Sequence, residues 1–300
     1  MLGPPVVVKI GGSTLGSHDT SLRDLVTLQQ EGIDVVVVHG GGNIISEWMG
    51  RQGIPPRFVQ GLRVTDAASL DIVVAVLTGL INKELVSRLH ALGGKAIGIS
   101  GIDGGMLKAR IADPELGFVG EIDQVDQAPI KAILDSGYIP MVAPLAVDCE
   151  AGSDHMGGAL NMNGDTVTGE LAHALGAKSI IFLTDVEGVM DGNGRVMRRL
   201  DRRTANLLFN SGVIQGGMIP KLAACLRALE PRGESEAGEV DIAASHGPAD
   251  HGPVAHVVDG RQPEALLECV RGKSIGTTII GDFRFQRPAG TRMLHRDEVR

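Results

Sequence analysis

Two runs of valine, Val6-Val7-Val8 and Val35-Val36-Val37-Val38, constrain this chain more than any other feature. An unbroken β-branched run with no polar alternation reads as a short strand buried on both faces. Residues 21–31, between the two runs, have helical character. Strand, helix and second doubly buried strand together predict a mostly parallel sheet covered by helices.

The alternation continues to the end of the chain. Helical segments are read at 44–51, at 66–92 (the longest), at 128–136, from 161–165 to about 175, from 216–221 to 229, and at 263–270. The 66–92 pattern places Leu70, Val73, Val74, Leu77, Leu80 and Ile81 on one side, as core or as a subunit contact. Strands are read at 95–100, 139–143, 179–183, 254–258 and 276–280, with part of a hairpin at 117–122. Residues 231–253 are rich in Gly, Ala, Ser, Glu and His and read as a flexible insertion. The tail 281–300 carries five arginines. No fixed-period repeat appears. The expectation is one domain over 1–280, with a soft lobe division at 170–180: about 1–175 for the first lobe and about 176–280 for the second.

Composition narrows the function. The net charge is -8 and aromatics are 3%. Both argue against a nucleic-acid partner, which needs positive charge and stacking surfaces. Cys149, Cys225 and Cys269 show neither metal-ligand spacing nor a disulfide pattern. No signal-peptide pattern and no apolar run of the ~20 residues a membrane span needs are visible. A soluble, cytoplasmic protein with no membrane partner is expected.

Glycines number 42, about twice the usual ~7% share, and three glycine-bearing turns follow strands. They are Lys9-Ile10-Gly11-Gly12, His39-Gly40-Gly41-Gly42 and Thr184-Asp185-Val186-Glu187-Gly188. Ligands of open parallel sheets bind at the edge where strands end. A lysine, bare backbone donors and a following helix N-terminus suit a phosphate; an exposed lysine beside a tight turn is the plainer reading. Gly272-Lys273-Ser274 lacks the upstream glycine of a P-loop, and no GxGxxG opens the first helix. Protein-kinase signatures are absent too.

Lys221 stands near the start of a helix, where a cation is unfavourable unless an anion binds beside it; it could also be a solvated surface lysine. Asp165 reads as a cap or first-turn acid. Arg63, in a glycine-bearing loop, is either solvated or forks onto a substrate carboxylate. His39 is a candidate base or a group satisfying local backbone. His246, His251 and His256 reflect loop composition rather than a metal set, and Cys149 has no histidine to pair with.

Taken together, Val-Lys-Ile-Gly-Gly at 8–12, His-Gly-Gly-Gly at 39–42, Gly-Leu-Arg-Val-Thr at 61–65, Asn-Met-Asn-Gly-Asp at 161–165, Leu-Thr-Asp-Val-Glu-Gly at 183–188, Gly-Gly-Met-Ile-Pro-Lys at 216–221 and Gly-Thr-Thr-Ile at 276–279 resemble the amino acid kinase family. Within it they are nearest the branch acting on N-acetyl-L-glutamate. The resemblance runs in order from Val6 to Ile280. It implies an α/β fold, a three-layer α/β/α sandwich with a mainly parallel central sheet. It also implies ATP-dependent phosphorylation of the side-chain carboxylate of N-acetyl-L-glutamate, in arginine biosynthesis, with Mg²⁺ carried by ATP rather than held by the protein.

By the same resemblance Lys9 and Lys221 bracket the transferred phosphoryl group and Asp165 holds them. Gly11, Gly12, Gly41 and Gly42 supply backbone donors, while Arg63 and Asn161 hold the substrate. Thr184, Asp185, Val186, Gly188 and Met190, with Val213, Gln215 and Met218, line the nucleotide site alongside Gly11 and Gly12. The chain begins at the first strand, without the helix that builds hexamers in arginine-inhibited members, so a homodimer without arginine feedback is expected. Two rivals remain: a sister kinase for carrier-protein-linked aminoadipate or glutamate, and a non-catalytic sensing module on the same fold.

Overall fold

The computed structural model describes residues 3–11, 20–59, 61–150, 157–232 and 252–281. β1 (Val6–Ile10), α1 (Thr20–Gln30) and β2 (Val35–His39) form the opening unit, and every residue of both strands is buried. Next come α2 (Gly42–Arg51) and a small hairpin, β3 (Phe58–Val59) and β4 (Leu62–Arg63). The longest helical pattern is α3 (Ala67–Val74), a π-helical segment (Ala75–Ile81) and α4 (Asn82–Ala91). Then follow β5 (Ala96–Ser100), β6 (Leu107–Ile111), β7 (Gly120–Val125), α5 (Ala128–Asp135), β8 (Ile139–Ala143), β9 (Leu145–Asp148) and β10 (Ala159–Asn161). The last part is α6 (Gly164–Leu175), β11 (Ser179–Thr184), β12 (Arg199–Asp201), α7 (Arg202–Asn210), α8 (Met218–Ala228), β13 (Val254–Asp259), α9 (Ala265–Val270) and β14 (Thr277–Ile280).

Eight strands form one sheet in the order β12-β14-β13-β11-β1-β2-β8-β5. Only the β13–β14 pair is antiparallel within it. β1 lies at the middle, Val6–Ile10 pairing with Ser179–Leu183 on one side and Val35–His39 on the other. Side chains alternate across a strand, and the core divides accordingly. Val7, Val36, Val38 and Phe182 pack with α5, α6 and α8. Val6, Val8, Ile10, Val35 and Val37 pack with α1, α2, α3, α4 and α9. The result is a three-layer α/β/α sandwich. A second sheet, β10-β9-β6-β7, stands beside it.

The 66–92 stripe divides between its two readings: Leu70, Val73, Leu77 and Ile81 are core, while Leu80, in the π-helical segment, is 40% exposed. Strands β9, β10 and β12 are too short to be read from the chain, whereas β6, alternating as Leu107-Lys108-Ala109-Arg110-Ile111, and α7, capped by Asp201, carry a signal that the expectation above omits. All but the end residues of the expected insertion (231–253) and tail (281–300) lie outside the described residues, as do His246 and His251; His256 is buried in β13. Among the described residues no helix is long and apolar enough to cross a membrane.

Asp24 of α1 is buried and accepts from the backbone N–H groups of Leu266 and Leu267 at the start of α9. Burial pushes its carboxyl up to about 6 despite those bonds. A raised carboxyl makes the folded state bind a proton more tightly, so stability rises as pH falls through 6. Asp24→Asn is therefore expected to raise Tm at pH 8, with the gain shrinking toward pH 5, by differential scanning calorimetry.

Candidate active site

Lys9 shares the parity of Val7 along β1, so its side chain enters the layer that holds α6 and α8. There it meets Asp165, the second residue of α6. Asn163, not Asp165, caps that helix: its Oδ1 accepts from the N–H of Asp165 (2.8 Å) and of Thr166 (3.1 Å). The carboxylate of Asp165 is thereby left to the lysines. Lys9 Nζ donates to Oδ1 at 2.8 Å and Lys221 Nζ to Oδ2 at 2.9 Å. Residues 156 and 56 positions apart in sequence thus share one buried anion. Burial by itself would raise the Asp165 carboxyl, but the two ammonium groups outweigh it and hold it below the usual carboxylate range.

Glycine makes this approach possible. A Cβ on Gly164 would stand 3.1 Å from Lys9 Cε, and one on Gly169 would stand 2.8 Å from both Cα and O of Ala224. The second contact is with backbone, which cannot swing aside. Gly169 lies one turn after Asp165 on α6, and Ala224 nearly one turn after Lys221 on α8, so their contact sets the distance across which the ion pair forms. Gly169→Ala is expected to push the helices apart, destabilise by about 1–3 kcal/mol, and lower kcat. Chemical denaturation and steady-state kinetics check both effects.

A cavity of about 210 Å³ opens beside the pair. Lys9, Asp165, Gly41, Gly42, Arg63 and Asn161 line it, with an apolar wall that includes Leu77, Val119 and Met162. Pockets for drug-sized ligands run about 300–1,000 Å³, so this one suits a molecule of amino-acid size. α2 starts here without a side-chain cap, presenting backbone N–H groups to an anion. A Cβ on Gly41 would overlap Ile81 Cδ1 and crowd Leu77 Cδ2, so those two side-chain tips would have to move. The Arg63 guanidinium is buried, stacks 4.8 Å from the Phe58 ring, and donates to the Gly42 carbonyl (2.8 Å) and Ser46 Oγ (2.7 Å). Asn161 Nδ2 donates to Thr65 Oγ1 at 3.0 Å.

The residues expected at the nucleotide lie outside this cavity, at the end of β11 and in the segment leading to α8. Thr184 is buried and its Oγ1 bonds Asp185 Oδ1 at 3.2 Å. Val186 is half-buried. At Gly188 a Cβ would stand 2.6 Å from Thr277 Oγ1, which accepts from Val189 N–H. Met190 and Val213 expose apolar surface, at 42% and 36%. Gln215 donates to the Gly212 carbonyl, and Met218 packs half-buried against the core. The N–H of Gly11 donates to the Leu183 carbonyl at 3.2 Å, tying β1 to β11 rather than offering itself to a phosphate. Gly12 lies outside the described residues.

Asp259 and Arg261 escaped the sequence reading. Asp259 ends β13 opposite Thr184, and Arg261 grips it with Nε and Nη2 at 2.8 and 2.9 Å. The signal was available, since Asp259-Gly260 is a further strand-to-glycine turn at the same edge. His39, weighed as a base, is fully buried; burial foremost, with the charge of Lys9, pushes it down to about 4, so it is neutral at physiological pH. Among the described residues no three His, Cys, Asp or Glu side chains gather to hold a metal. Both oxygens of Asp165 are already bonded. Among the described residues, Asp165 therefore has no free oxygen to offer a resident Mg²⁺.

A parallel sheet with glycine turns at its strand ends, and two lysines from distant segments on one aspartate, define a phosphate-handling α/β protein. Residues 4–235 match the amino acid kinase family, and the chain belongs to it. An acetylglutamate kinase of Dehalococcoides mccartyi is 40% identical over 279 residues, covering 92% of this chain and 94% of the relative. That of a Synechocystis species is 41% identical over 286 residues, covering 93% and 88%. Among solved structures, the smu.665 protein of Streptococcus mutans superposes with a TM-score of 0.72 at 25% identity, covering 92% of this chain and 98% of that one.

Proposed function

We propose that this chain transfers the terminal phosphoryl group of ATP to the side-chain carboxylate of N-acetyl-L-glutamate, giving an acyl phosphate and ADP. The observation that carries the reading is the Lys9–Asp165–Lys221 bridge at the rim of a small cationic cavity. The kinship with acetylglutamate kinases supports it.

The acceptor carboxylate, with an unperturbed pKa near ~4.3, is ionised at neutral pH. One of its oxygens attacks the terminal phosphorus as the bond to the β–γ bridging oxygen breaks, so no proton needs to be removed. Neutral, buried His39 is consistent with a reaction that needs no base. The difficulty is bringing two anions together, and catalysis is positioning plus charge neutralisation. In this reading Lys9 and Lys221 flank the migrating group, Asp165 fixes their spacing, and Gly41 and Gly42 at the uncapped start of α2 donate to it. Arg63 and Asn161 hold the acceptor. Residues 184–190 and 213–218 receive the nucleotide on the exposed apolar surface of Met190 and Val213, Gly11 contributing strand pairing rather than a donor. Mg²⁺ enters on the nucleotide as part of the substrate. The first lobe, to about residue 175, holds the acceptor and the second the nucleotide.

We further propose a homodimer through the π-helical segment and the open edge of β5, where Leu80 (40%) and Ile97 (37%) are exposed; sedimentation velocity tests it, and a monomer at micromolar concentration contradicts it. The activity is tested by trapping the acyl phosphate with hydroxylamine in the presence of MgATP. N-acetylglutamate should give hydroxamate far faster than glutamate, aspartate or aminoadipate. Equal rates with all four, or none with N-acetylglutamate, would overturn the assignment.

A further inference from the structure

Behind the glycine turn runs a set of hydrogen bonds whose direction can be worked out at every step. Lys83 Nζ donates to Asn82 Oδ1 at 3.1 Å and to the Gly98 carbonyl at 3.0 Å. Asn82 is 1% exposed, and with its oxygen so engaged its amide nitrogen is the atom that faces the core. That nitrogen has two hydrogens. One goes to the Met141 carbonyl at 2.8 Å and the other to His39 Nε2 at 3.1 Å, with the Ile99 carbonyl further off at 3.4 Å. An NH₂ group cannot accept, so Nε2 must, and the proton of the neutral ring sits on Nδ1. Nδ1 then donates to the Gly40 carbonyl at 3.0 Å.

The Gly40 carbonyl is one end of a peptide whose other end is the Gly41 N–H. A planar trans peptide points these two in opposite directions, so binding the carbonyl aims the N–H. The preceding peptide is anchored as well, because Gly40 N–H donates to the Ile10 carbonyl at 2.9 Å. Gly40, Gly41 and Gly42 all line the cavity beside Lys9. The rest of the fold accommodates the arrangement. Asn82 is the first residue after the π-helical segment, whose Leu77 and Ile81 close on Gly41. On β5 a Cβ at Gly98 would overlap Asn82 Oδ1, so glycine there makes room for the amide.

We infer that His39 and Asn82 are positioning residues: through the Gly40 carbonyl they aim the Gly41 N–H into the cavity as a donor to the group undergoing phosphoryl transfer. Neither touches the reactants. The effect on catalysis rests on the function proposed above, whereas the aiming of the Gly41 N–H does not.

The test compares His39→Asn, His39→Leu and Asn82→Ala. An Asn amide nitrogen can take the place of Nδ1 and keep the bond to the Gly40 carbonyl; Leu fills the buried space without it. His39→Leu is expected to lower kcat about a hundredfold, the order seen when one such backbone-type donor is lost, with KM for ATP unchanged. His39→Asn should retain kcat within about tenfold, and Asn82→Ala should fall between them. A packing role gives the opposite order, since Asn leaves an apolar gap that Leu fills; Leu equal to or better than Asn overturns the inference. Thermal melts identify any variant that fails to fold. The second readout needs no turnover: the ¹⁵N–¹H resonance of Gly41 in the free protein should move in His39→Leu and Asn82→Ala and stay close to wild type in His39→Asn. A Gly41 resonance unmoved in folded His39→Leu overturns the aiming itself. If wild type forms no hydroxamate, the assigned reaction fails, and the Gly41 resonance still decides the relay.

Discussion

Replacing Lys9 or Lys221 by alanine is expected to lower kcat for acyl phosphate formation by about a hundredfold to a thousandfold, the range for loss of one preorganised charge-stabilising donor. KM for ATP should change little by comparison. The reason is where the charges sit. Lys9 is 6% exposed on β1 and Lys221 stands on α8, both tied to one carboxylate at 2.8 and 2.9 Å. An ammonium has three donors and Asp165 engages one from each, which holds both heads at a fixed separation before substrates arrive. Charge positioned in this way acts when negative charge spreads over the migrating group, not when the nucleotide docks. The check is steady-state kinetics with ATP and acceptor varied separately. Either variant retaining kcat within threefold of wild type would show that its lysine takes no part in the transfer.

Asp165→Asn should have the larger combined effect, lowering kcat by at least as much and also destabilising the fold. Removing one member of a buried ion pair leaves uncompensated charge and typically costs 3–5 kcal/mol, as an order of magnitude; here two cations lose their shared partner. Asparagine keeps the shape, but it turns an NH₂ toward one of the ammonium groups. The pH dependence has a definite sign. Asp165 is held below the ordinary carboxylate range, so its stabilisation is fully present above the unfolded value near ~3.9. It is lost as pH falls from there through the lower folded value. The stability gap between wild type and Asp165→Asn, from urea denaturation, should therefore be constant from pH 7 to 5 and close below about pH 4. A gap that persists unchanged to pH 3 would contradict the pairing.

How much of this was legible in the sequence follows from the physics of each element. The valine runs announced their strands because doubly buried parallel strands need no polar alternation, and the sheet was built on them. β9 and β10 went unread because they are only four and three residues long; β6 was legible, since Leu107, Ala109 and Ile111 alternate with Lys108 and Arg110. The π-helical segment was invisible, since nothing local marks an extra residue in a turn. Lys9, Lys221 and Asp165 could be singled out separately, each with a plainer reading. Their meeting was implied only by the family resemblance and not by local pattern, because it depends on the Gly169–Ala224 approach between helices over 50 residues apart. Nothing in the local sequence singles out Asn82 within its helix. Only β8 and β2 lying beside it turn that side chain into the group that sets the His39 tautomer.

The most direct measurement is a crystal structure with ADP, Mg²⁺, N-acetyl-L-glutamate and a planar phosphoryl mimic such as aluminium fluoride. The account predicts the mimic between the acceptor carboxylate and ADP, with Lys9 Nζ and Lys221 Nζ both about 2.7–3.1 Å from its ligands and Asp165 still bridging them. A mimic that neither lysine touches, or one seated away from the cavity beside Gly41, would contradict it.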